Sequence, residues 1–242
     1  MNKKIVLYIL IFIIIIASFL MLFNLSDFPP GLYPDEAMNG NNALESLHTG
    51  GWKVFYPENN GREGLFMNIQ AIFLGLFGNK IWTLRLVSAL FGILMVLGIY
   101  FLTKELFNNS RNIALLSSFF AATSFWIINF SRIGFRAIMA PMFLVWALYF
   151  LISAFNKIKE GNPKSYILNS IFSGVFYGLG FYSYIAYRAT PLLIFVILLF
   201  YWFKNKDSAV RKKILLVASG YILVAIIIAA PLGLYFINNP QD

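Results

Sequence analysis

Apolar residues fill this chain in blocks, and short polar links separate them. Residues 5–23 form an unbroken apolar block that ends at Phe23, with Lys3 and Lys4 ahead of it. Further blocks fall at about 81–103, 112–129, 137–155, 166–183, 190–203 and 214–236. An apolar helix of about 20 residues matches the roughly 30 Å hydrocarbon thickness of a bilayer. The pattern therefore predicts an all-α polytopic membrane protein, a transmembrane bundle of about seven spans. The first block is longer than the roughly 7–15-residue core of a signal peptide, and no small-residue cleavage site follows it. It predicts a retained first span.

One long stretch, residues 24–64, breaks the pattern. It reads as a long first loop that contains short helices. The sequence from Pro34 to His48 has a helical pattern that stops at Gly50-Gly51, and Asp35 fits its N-cap. Residues 65–78 are apolar but short. Fourteen helical residues reach about 21 Å, against the roughly 30 Å needed to cross. They predict a re-entrant or interfacial helix, or else a poor span.

Charge decides between the two. If residues 65–78 do not cross, one side of the membrane holds Lys3, Lys4, Lys104, Arg111, Lys157, Lys159, Lys164, Lys204, Lys206, Arg211, Lys212 and Lys213, which is 12 of the 19 basic residues. If they cross, every later loop inverts. The positive-inside rule selects the first arrangement. The N-terminus is then cytoplasmic, and loop 24–64 lies outside.

Composition agrees with a membrane protein: 60% of the 242 residues are hydrophobic and 12% are charged. The net charge of +9 does not point to nucleic acid, because the Lys and Arg sit in the short links where topology needs them. There is no Cys and one His, His48, so neither a thiolate nor a His-cluster metal site is expected, and no cofactor is certain. The blocks carry almost no ionisable groups. Arg85, about a turn into the second block, is the main exception. That argues against an ion-coupled transporter, which needs charge near the midplane.

The chemistry concentrates on the outer side. Six of the ten acids lie in the first loop: Asp27, Asp35, Glu36, Glu45, Glu58 and Glu63. Arg62 belongs to the same loop. Arg132 and Arg136 follow the third block, and Tyr184 and Arg188 follow the fifth. Arginines on this side run against the topological bias and ask for a local reason. Snorkelling or pairing with the loop acids is one reason, and bidentate contact with an anionic phosphate is another. Tyr184 suits either an interfacial belt or a ligand wall.

Taken with their order, these motifs resemble a family. Pro-Asp-Glu-Ala opens the first loop, Gly-Arg-Glu-Gly-Leu-Phe precedes the short apolar segment, and Ser-Arg-Ile-Gly-Phe-Arg follows the third block. The chain resembles the GT-C glycosyltransferases, in the bacterial branch near protein O-mannosyltransferases, aminoarabinose transferases and RgtA/B/C/D-like enzymes. The resemblance implies a sugar taken from a polyprenyl-phosphate carrier and passed, with inversion, to a lipid, glycan or protein acceptor at the outer face of the plasma membrane. It implies Asp35 as catalytic base with Glu36 beside it, and a charged pair, Arg62 and Glu63, close to the carrier phosphate; their shared outer side adds Arg132, Arg136, Tyr184 and Arg188 as phosphate- or substrate-binding candidates. Many relatives carry a second acid after the third span. This chain has Arg132 and Arg136 there, which suits direct contact with phosphate better than a two-carboxylate metal site. The resemblance also implies that residues 1–242 are a single N-terminal module of a longer architecture. Two other readings use the same residues: a flippase of lipid-linked sugars, and a non-catalytic scaffold whose acids keep a loop soluble. The enzyme reading requires Asp35, Arg132, Arg136 and Arg188 to converge on one hollow.

Overall fold

A computed structural model describes residues 2–241. Its helices are α1 (Lys3–Leu22), α2 (Pro34–Thr49), α3 (Leu65–Phe77), α4 (Ile81–Leu106), α5 (Arg111–Ala122), α6 (Phe125–Arg132), α7 (Met139–Glu160), α8 (Pro163–Gly180), α9 (Thr190–Lys204) and α10 (Ser208–Asn238). Two short 3-10 turns, Arg136–Ile138 and Ile185–Ala189, precede α7 and α9. Strands β1 (Phe55–Tyr56) and β2 (Arg62–Glu63) pair antiparallel between α2 and α3. The fold is that of an all-α polytopic membrane protein.

Helix α1 shows how the blocks pack. Val6, Leu10, Ile13, Ala17 and Met21 recur at helical spacing and are buried against α4 and α5. Ile11, Phe12, Ile15 and Phe19 on its other faces are exposed, as lipid-facing residues are. Helix α4 is shared by two apolar cores. One lies with α1 and α5; the other lies with α2, α3, α7, α8 and α10.

Among the described residues five helical segments are long and apolar enough to cross a bilayer, and six are if the bent pair α5–α6 counts as one. The seven-span reading also included α8, which is too polar for that count. Its polar side chains face inward: Asn169 donates to Ser153 Oγ at 3.3 Å, Ser170 to the Val217 carbonyl at 2.6 Å and Ser173 to the Ala147 carbonyl at 2.8 Å. These bonds tie α8 between α7 and α10, as interhelical hydrogen bonds do where lipid removes the hydrophobic drive for association. The third predicted span, 112–129, is two helices bent by 52°. Thr123 ends the first of them, its N–H and hydroxyl both turning back to the Phe119 carbonyl at 3.1 and 3.0 Å. Helix α3 has 13 residues, about 20 Å of rise, and buries Phe66, Met67, Ala71 and Leu74 against α2 and α4.

The first loop is folded onto α4 by one side chain. Arg85 is fully buried. Its Nε donates to Glu36 Oε1 at 2.7 Å and its Nη2 to Glu36 Oε2 at 3.2 Å. Its Nη1 donates to the carbonyls of Leu25 and Pro29, both at 2.9 Å, and its Nη2 also donates to the Gly31 carbonyl. All five guanidinium N–H groups thus have acceptors.

The N-cap expected at Asp35 falls elsewhere. Tyr33 is the cap residue, Pro34 takes the first helical position, and Asp35 the second. Proline is suited to that place because the first turn has no use for its missing N–H. Glu36, at the third position, reaches back to accept the Tyr33 N–H at 3.2 Å.

Replacing Arg85 leaves the Glu36 carboxylate buried without a counter-charge. Arg85→Met is expected to lose about 3–5 kcal/mol of stability, read as a fall in the melting temperature of the detergent-solubilised protein. The double variant Glu36→Gln/Arg85→Met is expected to melt above the single one.

Candidate active site

Helix α2 carries Asp35 and Asn39 one turn apart, so both face the same way. They form one wall of a cavity of about 240 Å³. A turn at 58–61 closes its edge. Asn59, Asn60 and Gly61 all have left-handed backbones, with φ of 55°, 63° and 81°, which asparagine and glycine tolerate best. Asn59 Nδ2 donates to Asp35 Oδ1 at 2.9 Å. Asp35 Oδ2 takes no hydrogen bond among the described residues.

The β1–β2 hairpin then delivers two charges to opposite sides, as alternate strand residues do. Its register pairs Tyr56 with Arg62 and Phe55 with Glu63. Gly64 closes it where a Cβ would lie 2.0 Å from the Lys53 carbonyl oxygen. Arg62 turns to α2 and is buried. It donates to Asn39 Oδ1 at 3.0 Å, Asn42 Oδ1 at 2.6 Å and the Glu58 carbonyl at 3.4 Å. Burial, and then the neighbouring Arg136 charge, lower its pKa; Glu58 and Asp35 oppose this. Glu63 turns the other way and accepts from Arg136, and from Arg188 at 3.1 Å.

Arg136 forms the opposite wall. Beyond Glu63 it reaches the Ser183 and Gly61 carbonyls at 3.2 and 3.4 Å, and its guanidinium lies 5.1 Å from the Tyr184 ring centre. Phe135 and Tyr184 meet edge to face at 6.0 Å and line the same side. The cavity thus sets one carboxylate, Asp35, against two guanidiniums, Arg62 and Arg136.

Of the residues expected from sequence, Asp35, Arg62, Arg136 and Tyr184 line this cavity. Glu63 and Arg188 stand behind Arg136 as its ion-pair network, with Arg188 also packed over Phe236 at 5.0 Å. Two expectations are corrected. Glu36 is turned about 100° from Asp35 around α2, and its carboxylate is held by Arg85 away from the cavity. Arg132 ends α6 and donates to the carbonyls of Leu20, Phe23 and Phe28 at 2.8, 2.7 and 2.9 Å. It fastens the end of α1 and the loop that follows. Gly134, with φ of +56°, turns the chain between Arg132 and Arg136, and a Cβ there would come 2.8 Å from Glu36 Oε1. Of the four residues expected to converge, Asp35 and Arg136 line the cavity, and Arg132 and Arg188 do not.

Sequence reading missed Asn39, Asn59 and Asn60. The signal for Asn39 was its position one turn beyond Asp35, and for the other two the Asn-Asn-Gly turn signature. Among the described residues no group of three His, Cys, Asp or Glu side chains gathers to hold a metal ion. A cation placed at Asp35 would also face the two guanidiniums that line the cavity, a repulsive setting for a metal ion.

The family model described as dolichyl-phosphate-mannose-protein mannosyltransferase matches residues 65–235, well over half of the chain. The fold is similar to the apo crystal structure of the Archaeoglobus fulgidus oligosaccharyltransferase, with a TM-score of 0.79 and 19% identity. That likeness covers 95% of this chain and 30% of the archaeal one. No curated protein matches the chain.

The Glu63 network predicts unequal costs on its two sides. Glu63→Ala strips the buried Arg136 of its counter-charge and is expected to cost about 3–5 kcal/mol. Arg188, whose side chain is 43% exposed, is worth less. Arg188→Ala is expected to cost under about 1 kcal/mol. Chemical denaturation of the two purified variants measures the difference.

Proposed function

The chain belongs to the dolichyl-phosphate-mannose-protein mannosyltransferase family, and from that premise we propose that it is a membrane glycosyltransferase. It takes a sugar, mannose in the first instance, from a polyprenyl-phosphate carrier and passes it to a hydroxyl of a lipid, glycan or protein acceptor. The transfer takes place at the non-cytoplasmic face of the plasma membrane and inverts the anomeric carbon. The observation that carries this reading is the presence of one carboxylate and two guanidiniums in the lining of one cavity.

The division of charge suits the chemistry. The acceptor oxygen attacks the anomeric carbon while its proton passes to Asp35. The bond from that carbon to the phosphate oxygen breaks in the same step, and the electron pair leaves with the phosphate. A phosphate leaving group needs charge stabilisation rather than a proton. Arg62 and Arg136 supply it. Arg62 spends three of its five N–H groups on Asn39, Asn42 and Glu58, and Arg136 spends its own on Glu63, Ser183 and Gly61. Each retains N–H groups for a phosphate, whereas Arg85 retains none.

A row of rings supports a prenyl carrier. Exposed Trp126 stacks on Phe130 at 6.1 Å, Phe130 on Phe135 at 5.7 Å, and Phe135 meets Tyr184 at the cavity. The row leads from the lipid-facing side of α6 to Arg136. The bias of basic residues to the opposite side of the bundle supports an outward-facing site.

Asp35→Asn is expected to lower the transfer rate by about 10²–10⁴-fold and to leave donor binding in place. Transfer of radiolabelled mannose from polyprenyl-phosphate mannose, in the full chain reconstituted in lipid, measures it. A variant as fast as the parent would remove Asp35 from the role of base.

A further inference from the structure

We infer that Asn39 is a specificity-determining residue whose amide nitrogen donates a hydrogen bond to a hydroxyl oxygen of the transferred sugar. The inference rests on the glycosyl-transfer reading above and goes further by assigning a sugar contact to a named atom.

Asn39 lines the cavity beside Asp35 and is 1% exposed. Its Oδ1 accepts from Arg62 Nη1 at 3.0 Å. A guanidinium only donates, so this bond fixes the orientation of the amide: oxygen toward Arg62, nitrogen away from it. That nitrogen, Nδ2, is buried and has no hydrogen-bond partner. Asn42, the other asparagine on Arg62, leaves no such orphan.

A buried amide N–H without an acceptor carries a standing desolvation cost, and folded proteins keep few of them. Six buried side-chain polar atoms lack partners among the described residues, and Asn39 Nδ2 is the one of the six on a residue lining this cavity. Each of the others lies on a residue outside the lining.

The chemistry of the cavity narrows what the donor meets. Nδ2 needs an oxygen lone pair. Phosphate oxygens are drawn to the uncommitted N–H groups of Arg62 and Arg136. Asn39 stands instead four residues, about 6 Å of helical rise, along α2 from Asp35. The carboxylate of Asp35 lies within hydrogen-bond reach of the acceptor oxygen in the transfer step. The oxygens near that point are the sugar's own hydroxyls. The amide thus reads a hydroxyl that a deoxy sugar lacks, and a site built around such a bond disfavours the analogue without it.

The test compares polyprenyl-phosphate mannose with its 2-, 3-, 4- and 6-deoxy analogues as donors to the reconstituted full chain. The parent protein is expected to prefer mannose over one of the four by about 10- to 100-fold in kcat/KM. Asn39→Asp keeps an oxygen for Arg62 and withdraws the donor. In it the preference at that position is expected to fall to within about threefold of unity, while the other three ratios stay as they were. All donors carry the same charge, so the ratio does not register the added carboxylate, and a merely structural role for Asn39 would not move one ratio alone. Should the Asp variant not fold, Asn39→Ser, which withdraws the reach of the amide, is read by the same ratios. Unchanged ratios in an active variant overturn the assignment to Asn39 and leave the transferase reading standing. A parent protein that neither binds nor uses any of these donors overturns that reading, and the inference with it.

Discussion

A guanidinium buried in a hydrocarbon-lined bundle is tolerated only when its charge and all its donors are answered. Arg85 meets that condition through one carboxylate and three carbonyls, and every one of those acceptors lies in the first loop. The loop therefore has to fold back onto α4 for the helix to be stable at all. The same contact sets the rotation of α2. With Glu36 drawn inward, its neighbour Asp35 is carried round to face the cavity, and Asn39 with it. Glu36 stabilises its own helix in turn, by accepting the Tyr33 N–H. The position of the proposed base is thus a consequence of an ion pair in which it takes no part.

The arginines divide into two kinds by where they stand. Arg85 is saturated, and Arg132 is committed to three carbonyls around the end of α1, on the far side of Gly134 from the cavity. Both fasten backbone. Arg62 and Arg136 also make three hydrogen bonds each, but both line the cavity. Glu63 makes this possible for Arg136. It neutralises part of the charge from behind and fixes the guanidinium. Exposed pairs such as Lys53 with Glu45, at 2.8 Å on the loop surface, hold nothing of this kind and contribute little.

The sequence made the helices legible because lipid-facing helices are apolar nearly all round, and length alone then marks them. It concealed the break between α5 and α6, since Thr123 and Ser124 are too few to interrupt an apolar count, although their backbone bonds end one helix and start another. Helix α2 was harder. Its buried residues are Glu36, Asn39, Gly40, Asn42, Ala43 and Ser46, so the usual rule that the apolar stripe faces inward gives no rotation for it. Glu36 and Asp35 could not be told apart without that rotation. Arg85 was visible as a lone ion in a span, but its partners lie 49 to 60 residues away, and nothing local names them. Arg132 and Arg136 looked equivalent because four residues usually share a helix face. A left-handed glycine between them removes that equivalence.

The placement of charge also bears on direction. In the inverting displacement proposed above the nucleophile and the leaving group occupy opposite sides of the reacting carbon, so the proposed base, Asp35, and the proposed phosphate contact at Arg136 are useful only if they stand on different walls. Asp35 comes from the first turn of α2, and Arg136 from the turn before α7. No segment is shared between them, and the hairpin that carries Arg62 and Glu63 bridges the gap. One strand residue ties to α2 through Asn39 and Asn42, and the next ties to Arg136 and Arg188. The alternation of two residues in a two-residue strand thus fixes the separation of the walls. A slip of one residue in that register would exchange the two charges: it would turn Glu63 toward Asn39 and Asp35 and leave Arg136 facing Arg62 with no carboxylate between them. Gly64, packed against the Lys53 carbonyl where no side chain fits, holds the register that keeps acid and cation apart.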